Sequence, residues 1–155
     1  EEVIQGYRSM VDEVRNLLPD AEIQGVFVQP MLANGQEVII GAIQDAQFGP
    51  LVMFGSGGIE VEGLNDVQFG LAPISIPEAQ TIIEDTWAGK KLQGFRNRPP
   101  GDREAVLEVL IKISRLVAAV PQLEEIEINP LRVLPAGKGA YAVDVRARFR
   151  ASSAI

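Results

Sequence analysis

The chain has 155 residues, enough for one domain with a real hydrophobic core, and its 46% hydrophobic and 23% charged content is that of an ordinary globular protein. The formal charge of −7 argues against a nucleic-acid or anionic-membrane surface, because phosphate backbones and acidic headgroups need clustered Lys and Arg. With no Cys and no His, the chain has no disulfide framework, no thiolate chemistry and no His base of its own, a composition suited to the cytoplasm.

In chain order, residues 2–18 place Val3, Tyr7, Met10, Val14 and Leu17 or Leu18 at helical spacing, and Pro19-Asp20 ends that helix. "AEIQGVFVQPML" predicts a β-rich run that ends at Pro30, and Asn34-Gly35 a turn. "EVIIGAIQDAQ" predicts the next strand, "FGP" a turn, and "LVMFG" its partner. "SGG" predicts a Gly-rich bend, with "IEVE" and "DVQFGLAPI" as short β pieces beyond it. Pro77 marks a helix start for "PEAQTIIEDTWAG", with Ile82, Ile83 and Trp87 on one side. "KKLQGFRNRPPGD" is a polar connector, and Asp102 caps the clearest amphipathic helix, which Pro121 stops. The chain closes on a hairpin, "EEIEINPLRVLPAGKGAYAVDVRARF", followed by a tail at 150–155. Four or five antiparallel-type strands with two or three helices on one side predict an α+β fold rather than a doubly wound sheet. The chain opens at Glu1 inside a helical pattern, which we read as part of a longer protein.

Two features carry chemistry. Strand alternation in the hairpin puts Glu125, Glu127 and Asn129 on one face and Ile126 and Ile128 on the other, with Ala142, Asp144 and Arg146 on the polar face of the return strand. The short loop brings Asp144 near Asn129. An Asn carbonyl and an Asp carboxylate are hard oxygen donors that suit Mg²⁺, which keeps several waters and takes phosphate oxygens as further ligands. A solvated sheet face with Arg146 as counter-ion has the same pattern. In "FGSGGIE", successive glycines allow backbone N–H groups to converge on an anion, although such a bend is also an ordinary turn. "GKG" at 137–139 lacks the spacing of a phosphate-binding loop and reads as a hairpin turn.

Taken together, "GVFVQPML…EVIIGAIQDAQFGPLVMFGSGGIEVE…DVQFGLAPI…GFRNRPPGD…LEEIEINPL…AVDVRA" resembles the ATP-grasp domain of NDP-forming acyl-CoA synthetases, the ADP-forming acetate–CoA ligase type related to succinyl-CoA synthetase. The resemblance implies that residues 1–149 are the C-terminal subdomain of an ATP-grasp domain, a mainly antiparallel sheet with helices packed on it. It implies bound ATP or ADP, Mg²⁺ held by Asn129 and Asp144, and Glu127 as the acid that helps a phosphohistidine loop dock. It also implies that Gln29, Pro30 and Met31 form the hinge against adenine. Glu37, Asp45, Gly57, Gly58 and Glu60 then occupy recurring signature positions. Pro30 stands where the family commonly has Glu, and Asn97 where it usually has Gly. The implied partners are a smaller N-terminal lobe with a phosphate-neutralising Lys, and CoA-binding and phosphohistidine domains that use CoA and a carboxylic acid. Without these the chain is expected to be inactive. A regulatory nucleotide-binding module of a synthetase-like protein acetyltransferase and a structural interaction domain are the alternatives.

Overall fold

The computed structural model describes residues 1–32, 35–58 and 66–150. The Asn34-Gly35 turn, the "IEVE" strand, Glu60 and most of the 150–155 tail fall wholly or partly outside the described residues. The chain divides into two compact units, 1–32 and 33–155.

In the first unit, α1 (Glu2–Leu17) ends where the Leu18 N–H bonds to the Val14 carbonyl at 2.8 Å, just before Pro19. Residues 21–32 form no strand, contrary to the expectation from their β-rich composition. A strand is stabilised by a ladder, and this unit has only a helix to offer.

Among the described residues, the second unit is a six-stranded antiparallel sheet with three helices. The strands are β1 (Gln36–Asp45), β2 (Gly49–Ser56), β3 (Val67–Leu71), β4 (Leu123–Val133), β5 (Ala140–Ala142) and β6 (Val145–Phe149). Their order is β3-β2-β1-β4-β5, with β6 also on the outer side of β4. The helices are α2 (Ile76–Glu84), α3 (Trp87–Leu92) and α4 (Arg103–Ala119). Val38, Ile40, Ala42, Val52, Phe54, Ile126, Ile128 and Leu131 project from one face of the sheet. They meet Ala79, Ile83, Leu92, Val106, Leu110 and Val117 from the helices. Each fully buried large side chain contributes about 1.5–3 kcal/mol, so this layer carries most of the stability.

The expected single helix over 77–89 is two helices. Ser75, not Pro77, begins the first, in a capping box with Glu78. Thr86 ends it and starts the second: its hydroxyl donates to the Ile83 carbonyl at 2.8 Å and accepts from the Gly89 N–H at 2.9 Å. The break turns Trp87 away from the buried Ile82 and Ile83, leaving the indole 41% exposed.

The predicted return strand is also divided. On the β1 side of β4, Val38 pairs with Leu131 and Ile40 with Ile128, so Asn129 and Pro130 together oppose Ile39 in a bulge. On the other side, the Asn129 N–H donates to the Asp144 carbonyl and the Val143 N–H to the Pro130 carbonyl, both at 3.0 Å. Val143 and Asp144 therefore separate β5 from β6. The phase of the strand slips by one residue here. Ala142, expected on the polar face, lies opposite Leu131, whereas Arg146 lies opposite Glu127 as the alternation required.

Candidate functional site

The bulge in β4 is the centre of the site. It holds Asn129 beside Asp144 through the backbone bond above, at the place where two strands lose regular pairing. The Asn129 side-chain oxygen accepts the Gly58 N–H at 3.2 Å, which joins the bulge to the bend after β2. The Gly57 N–H donates to the Glu37 carbonyl at 3.2 Å. Both amides of the glycine pair are thus engaged within the protein. The bend joins β1, β2 and β4.

Gly58 has φ +66°, a left-handed conformation that L side chains rarely adopt, and a Cβ there would collide with the Glu37 carboxylate. At Gly57 a Cβ would lie 2.5 Å from the carbonyl carbon of Val38, within the backbone of β1. Glu37 pairs with Arg132, its cross-strand partner. The Arg132 Nε is buried without a hydrogen-bond partner among the described residues. The sequence reading did not single out Arg132. The signal that could have found it is the pattern itself. "IEI" and "LRV" have buried ends in opposite phase, and the polar pair Asn129-Pro130 between them marks the slip.

The rest of this face is charged and largely neutralised. Arg148 pairs with Glu124 at 2.7 Å and Glu125 at 3.1 Å, and Arg146 with Asp144 at 3.2 Å. Glu127 differs: its carboxylate makes no ion pair or hydrogen bond among the described residues. It lines a shallow hollow with Glu125, Arg146, Ala147 and Arg148.

The other candidates are dispersed. Asp45 is at the far end of β1 from Glu37, where its carboxylate accepts the Gln47 and Phe48 amides at 2.8 and 2.9 Å. Those bonds hold its pKa below the ordinary value and make it a turn-former. The structure does not bring Asp45 to Asn129. Gln29, Pro30 and Met31 lie in the N-terminal unit, in a stretch without regular secondary structure, and Glu60 lies outside the described residues. A residue that sequence reasoning passed over, Asp66, receives the Ser56 hydroxyl at 2.7 Å and the Trp87 and Ala88 amides at 2.7 and 2.9 Å. Burial opposes its ionisation, but these donors and the Lys91 charge outweigh it, so the carboxyl titrates below its usual value. It pins α3 to the end of β2.

The donor set at the bulge fits a divalent cation bound together with a ligand. Asn129 Oδ1 and the half-exposed Asp144 carboxylate are hard oxygens on two residues joined by the backbone bond above, and Arg146, the ion-pair partner of Asp144, is itself 81% exposed. No cluster of three or more acidic side chains suited to a metal occurs among the described residues. Mg²⁺ bound by one or two protein oxygens, water and phosphate has no need of one.

A model of the ATP-grasp domain matches residues 1–149. The β subunit of an ADP-forming acetate–CoA ligase, isoform I, of Pyrococcus furiosus is 42% identical over 94% of this chain and 62% of its own length. The dinucleotide-forming acetyl-coenzyme A synthetase 1 of Ca. Korarchaeum cryptofilum, solved with coenzyme A, Ca-AMPCP and HgCl⁺, superposes with a TM-score of 0.83 at 41% identity, over 96% of this chain and 64% of that one. The same enzyme with coenzyme A and Mg-AMPPCP, its phosphohistidine segment pointing towards the nucleotide-binding site, gives a TM-score of 0.73 at 40% identity over 77% of this chain and 55% of that one. The chain therefore spans less than two thirds of the length of these relatives.

Proposed function

The chain belongs to the ATP-grasp domain family, and from that premise we propose that it is the nucleotide- and magnesium-binding part of an NDP-forming acyl-CoA synthetase. The reaction is acyl-CoA + ADP + phosphate to carboxylate + CoA + ATP, through acyl phosphate and phosphohistidine formed in other domains. The observation that carries this reading is the juxtaposition of Asn129 and Asp144 across the β4 bulge, tied to Gly58 and backed by Glu37 and Arg132. It is also what favours a working site over a degenerate regulatory module.

In this reading Asn129 and Asp144 hold Mg²⁺, which when bound offsets charge on the nucleotide phosphates. Glu37, Gly57 and Gly58 keep Asn129 in place at the phosphate end. Glu127, the carboxylate with no partner on its face, orients the incoming phosphohistidine segment. The backbone at Gln29–Met31 lies against the base, and Pro30, having no N–H, leaves one polar contact there unmade. The chain has no His, so the phosphohistidine comes from another domain or subunit. A smaller lobe supplies the Lys that neutralises phosphate. Phosphoryl transfer depends on positioning and charge neutralisation, so the chain alone turns over negligibly. No helix among the described residues is long and apolar enough to cross a membrane, and we place the protein in the cytoplasm.

The test is calorimetric titration of Mg·ATP into the two-lobed ATP-grasp domain. Asn129→Ala and Asp144→Ala are each expected to weaken binding at least about tenfold, the equivalent of roughly 1.4 kcal/mol. Unchanged affinity in both variants sinks the metal assignment.

A further inference from the structure

We propose that the hollow between α3 and the Phe95–Arg98 turn is a second ligand site, built for a planar base that carries phosphate. Trp87, Phe95, Lys91, Arg96, Asn97 and Arg98 line it, around an open volume of about 430 Å³. It shares no residue with the Asn129–Asp144 cluster.

Charge is the first argument. The chain carries −7, yet the described residues that line this hollow include Lys91, Arg96 and Arg98 and no acid. The guanidinium groups of Arg96 and Arg98 have no ion-pair partner among the described residues. Asp66 is occupied by the Ser56 hydroxyl and the Trp87 and Ala88 amides and acts electrostatically on Lys91. Two guanidinium groups without an ion-pair partner among the described residues present planar forks of N–H donors, which match phosphate oxygens.

The aromatic pair is the second. Trp87 and Phe95 meet edge to face with centroids 5.2 Å apart and planes at 76°. They remain 41% and 39% exposed, so aromatic surface is accessible to a stacking partner. The Arg96 guanidinium lies 5.2 Å above the Phe95 ring.

Rigidity is the third. Arg96 has φ +54°, a conformation that costs an Arg free energy, and the turn is closed by the Arg98 N–H on the Phe95 carbonyl at 3.0 Å. Pro99 and Pro100 follow, and the Gly101 N–H bonds to the Leu92 carbonyl at 3.0 Å, fastening both ends of the loop. A site held in this way loses little entropy on binding. A nucleoside phosphate supplies both the stacking ring and the anion. The ligand is either a free nucleotide or the adenosine-phosphate end of a coenzyme, and the two share that chemistry.

Trp87 is the chain's single tryptophan, so its fluorescence reports directly on the hollow. The probes are AMP and coenzyme A, titrated into the 155-residue chain in magnesium-free buffer with EDTA. Saturable quenching by at least one probe is expected, with adenosine and ribose 5-phosphate at least about tenfold weaker than AMP. Arg96→Ala/Arg98→Ala is expected to weaken the binding at least about tenfold, and Asn129→Ala/Asp144→Ala to leave it unchanged. Coenzyme A binding tenfold tighter than AMP marks the coenzyme as the source, and equal affinity marks the free nucleotide. Absence of saturable quenching with both probes overturns the proposal. So does wild-type affinity in the arginine variant, or loss of binding in the Asn129/Asp144 variant. Thermal melts confirm the fold of each variant, and Arg98→Gln replaces the double change if that one unfolds.

Discussion

The side-chain oxygen of Asn129 accepts the Gly58 amide at 3.2 Å, so the residue proposed to hold a metal is held in turn by the bend after β2. The bend depends on two glycines for different reasons. At Gly58 the φ of +66° is the obstacle, and the side chain that a Cβ would strike, Glu37, is flexible. Gly58→Ala is expected to cost about 1–2 kcal/mol. At Gly57 a Cβ would meet the backbone of Val38, which β1 pairing holds on both sides. Gly57→Ala is expected to cost more, about 2–3 kcal/mol. Urea denaturation of both variants checks the order, and a larger loss at Gly58 would show that conformation outweighs crowding.

Glu37 and Arg132 are coupled in a second way. They are cross-strand partners, partly buried, and Arg132 has no other carboxylate within reach among the described residues. Removing either leaves the other charge desolvated and alone. Glu37→Ala and Arg132→Ala are each expected to destabilise by about 1–2 kcal/mol. The double variant should fall short of the sum by about 1 kcal/mol. A double-mutant cycle at neutral pH measures this term, and strict additivity would mean that the pair is only a contact.

How much of this was legible in the sequence depends on whether a feature is local. The α4 cap at Asp102, the β1–β2 hairpin and the inward Ile126 and Ile128 followed from turn residues and period. Thr86 was not read as a helix break, because Thr carries no breaker signal by itself. Its role needs Asp66 to take the Trp87 and Ala88 amides across the fold. Arg132 was missed because a period-2 count does not survive a bulge, and nothing in the alternation forces one. The β-rich run expected to end at Pro30 had the right composition and no ladder partner in its own unit. Asp144 beside Asn129 could be reached from hairpin length, but the tie to Gly58 could not.

Asp102 gives a pH-dependent test. Its carboxylate accepts the Gly139 amide at 2.8 Å and the Ala105 amide at 3.1 Å, capping α4 and fastening the β4–β5 turn together. The Gly139 bond is the largest cause that holds its pKa below the ordinary value, followed by the Ala105 bond. A depressed folded-state pKa means that ionised Asp102 stabilises the fold above the unfolded value of about 3.9. That contribution disappears as the pH falls through the lower folded value. Asp102→Asn is expected to cost about 1–2 kcal/mol at pH near 7, with the gap to wild type closing only in strong acid. Paired urea titrations across that range measure it. A gap that stays constant down to the lowest pH would assign the loss to packing, not to the charge.

Arg96 separates stability from binding at the second ligand site. Its φ of +54° is left-handed, and the neighbouring Gly94 at φ +99° shows how sharply the loop bends. A left-handed conformation costs a non-glycine residue about 1–2 kcal/mol, and glycine is released from that cost. Glycine in turn gains unfolded-state entropy worth about 0.5–1 kcal/mol. Arg96→Gly is therefore expected to raise stability by a net of about 0.5–1 kcal/mol, while Arg96→Ala keeps the strained angle and gains nothing. Both remove the guanidinium from over Phe95, and both should weaken AMP or coenzyme A binding by the same factor. Melting temperatures and Trp87 quenching on the two variants test the pair together. A stability gain in the glycine variant with unchanged binding would leave Arg96 as strain without a ligand. Equal stability in both would mean that the turn, not the arginine, sets the angle.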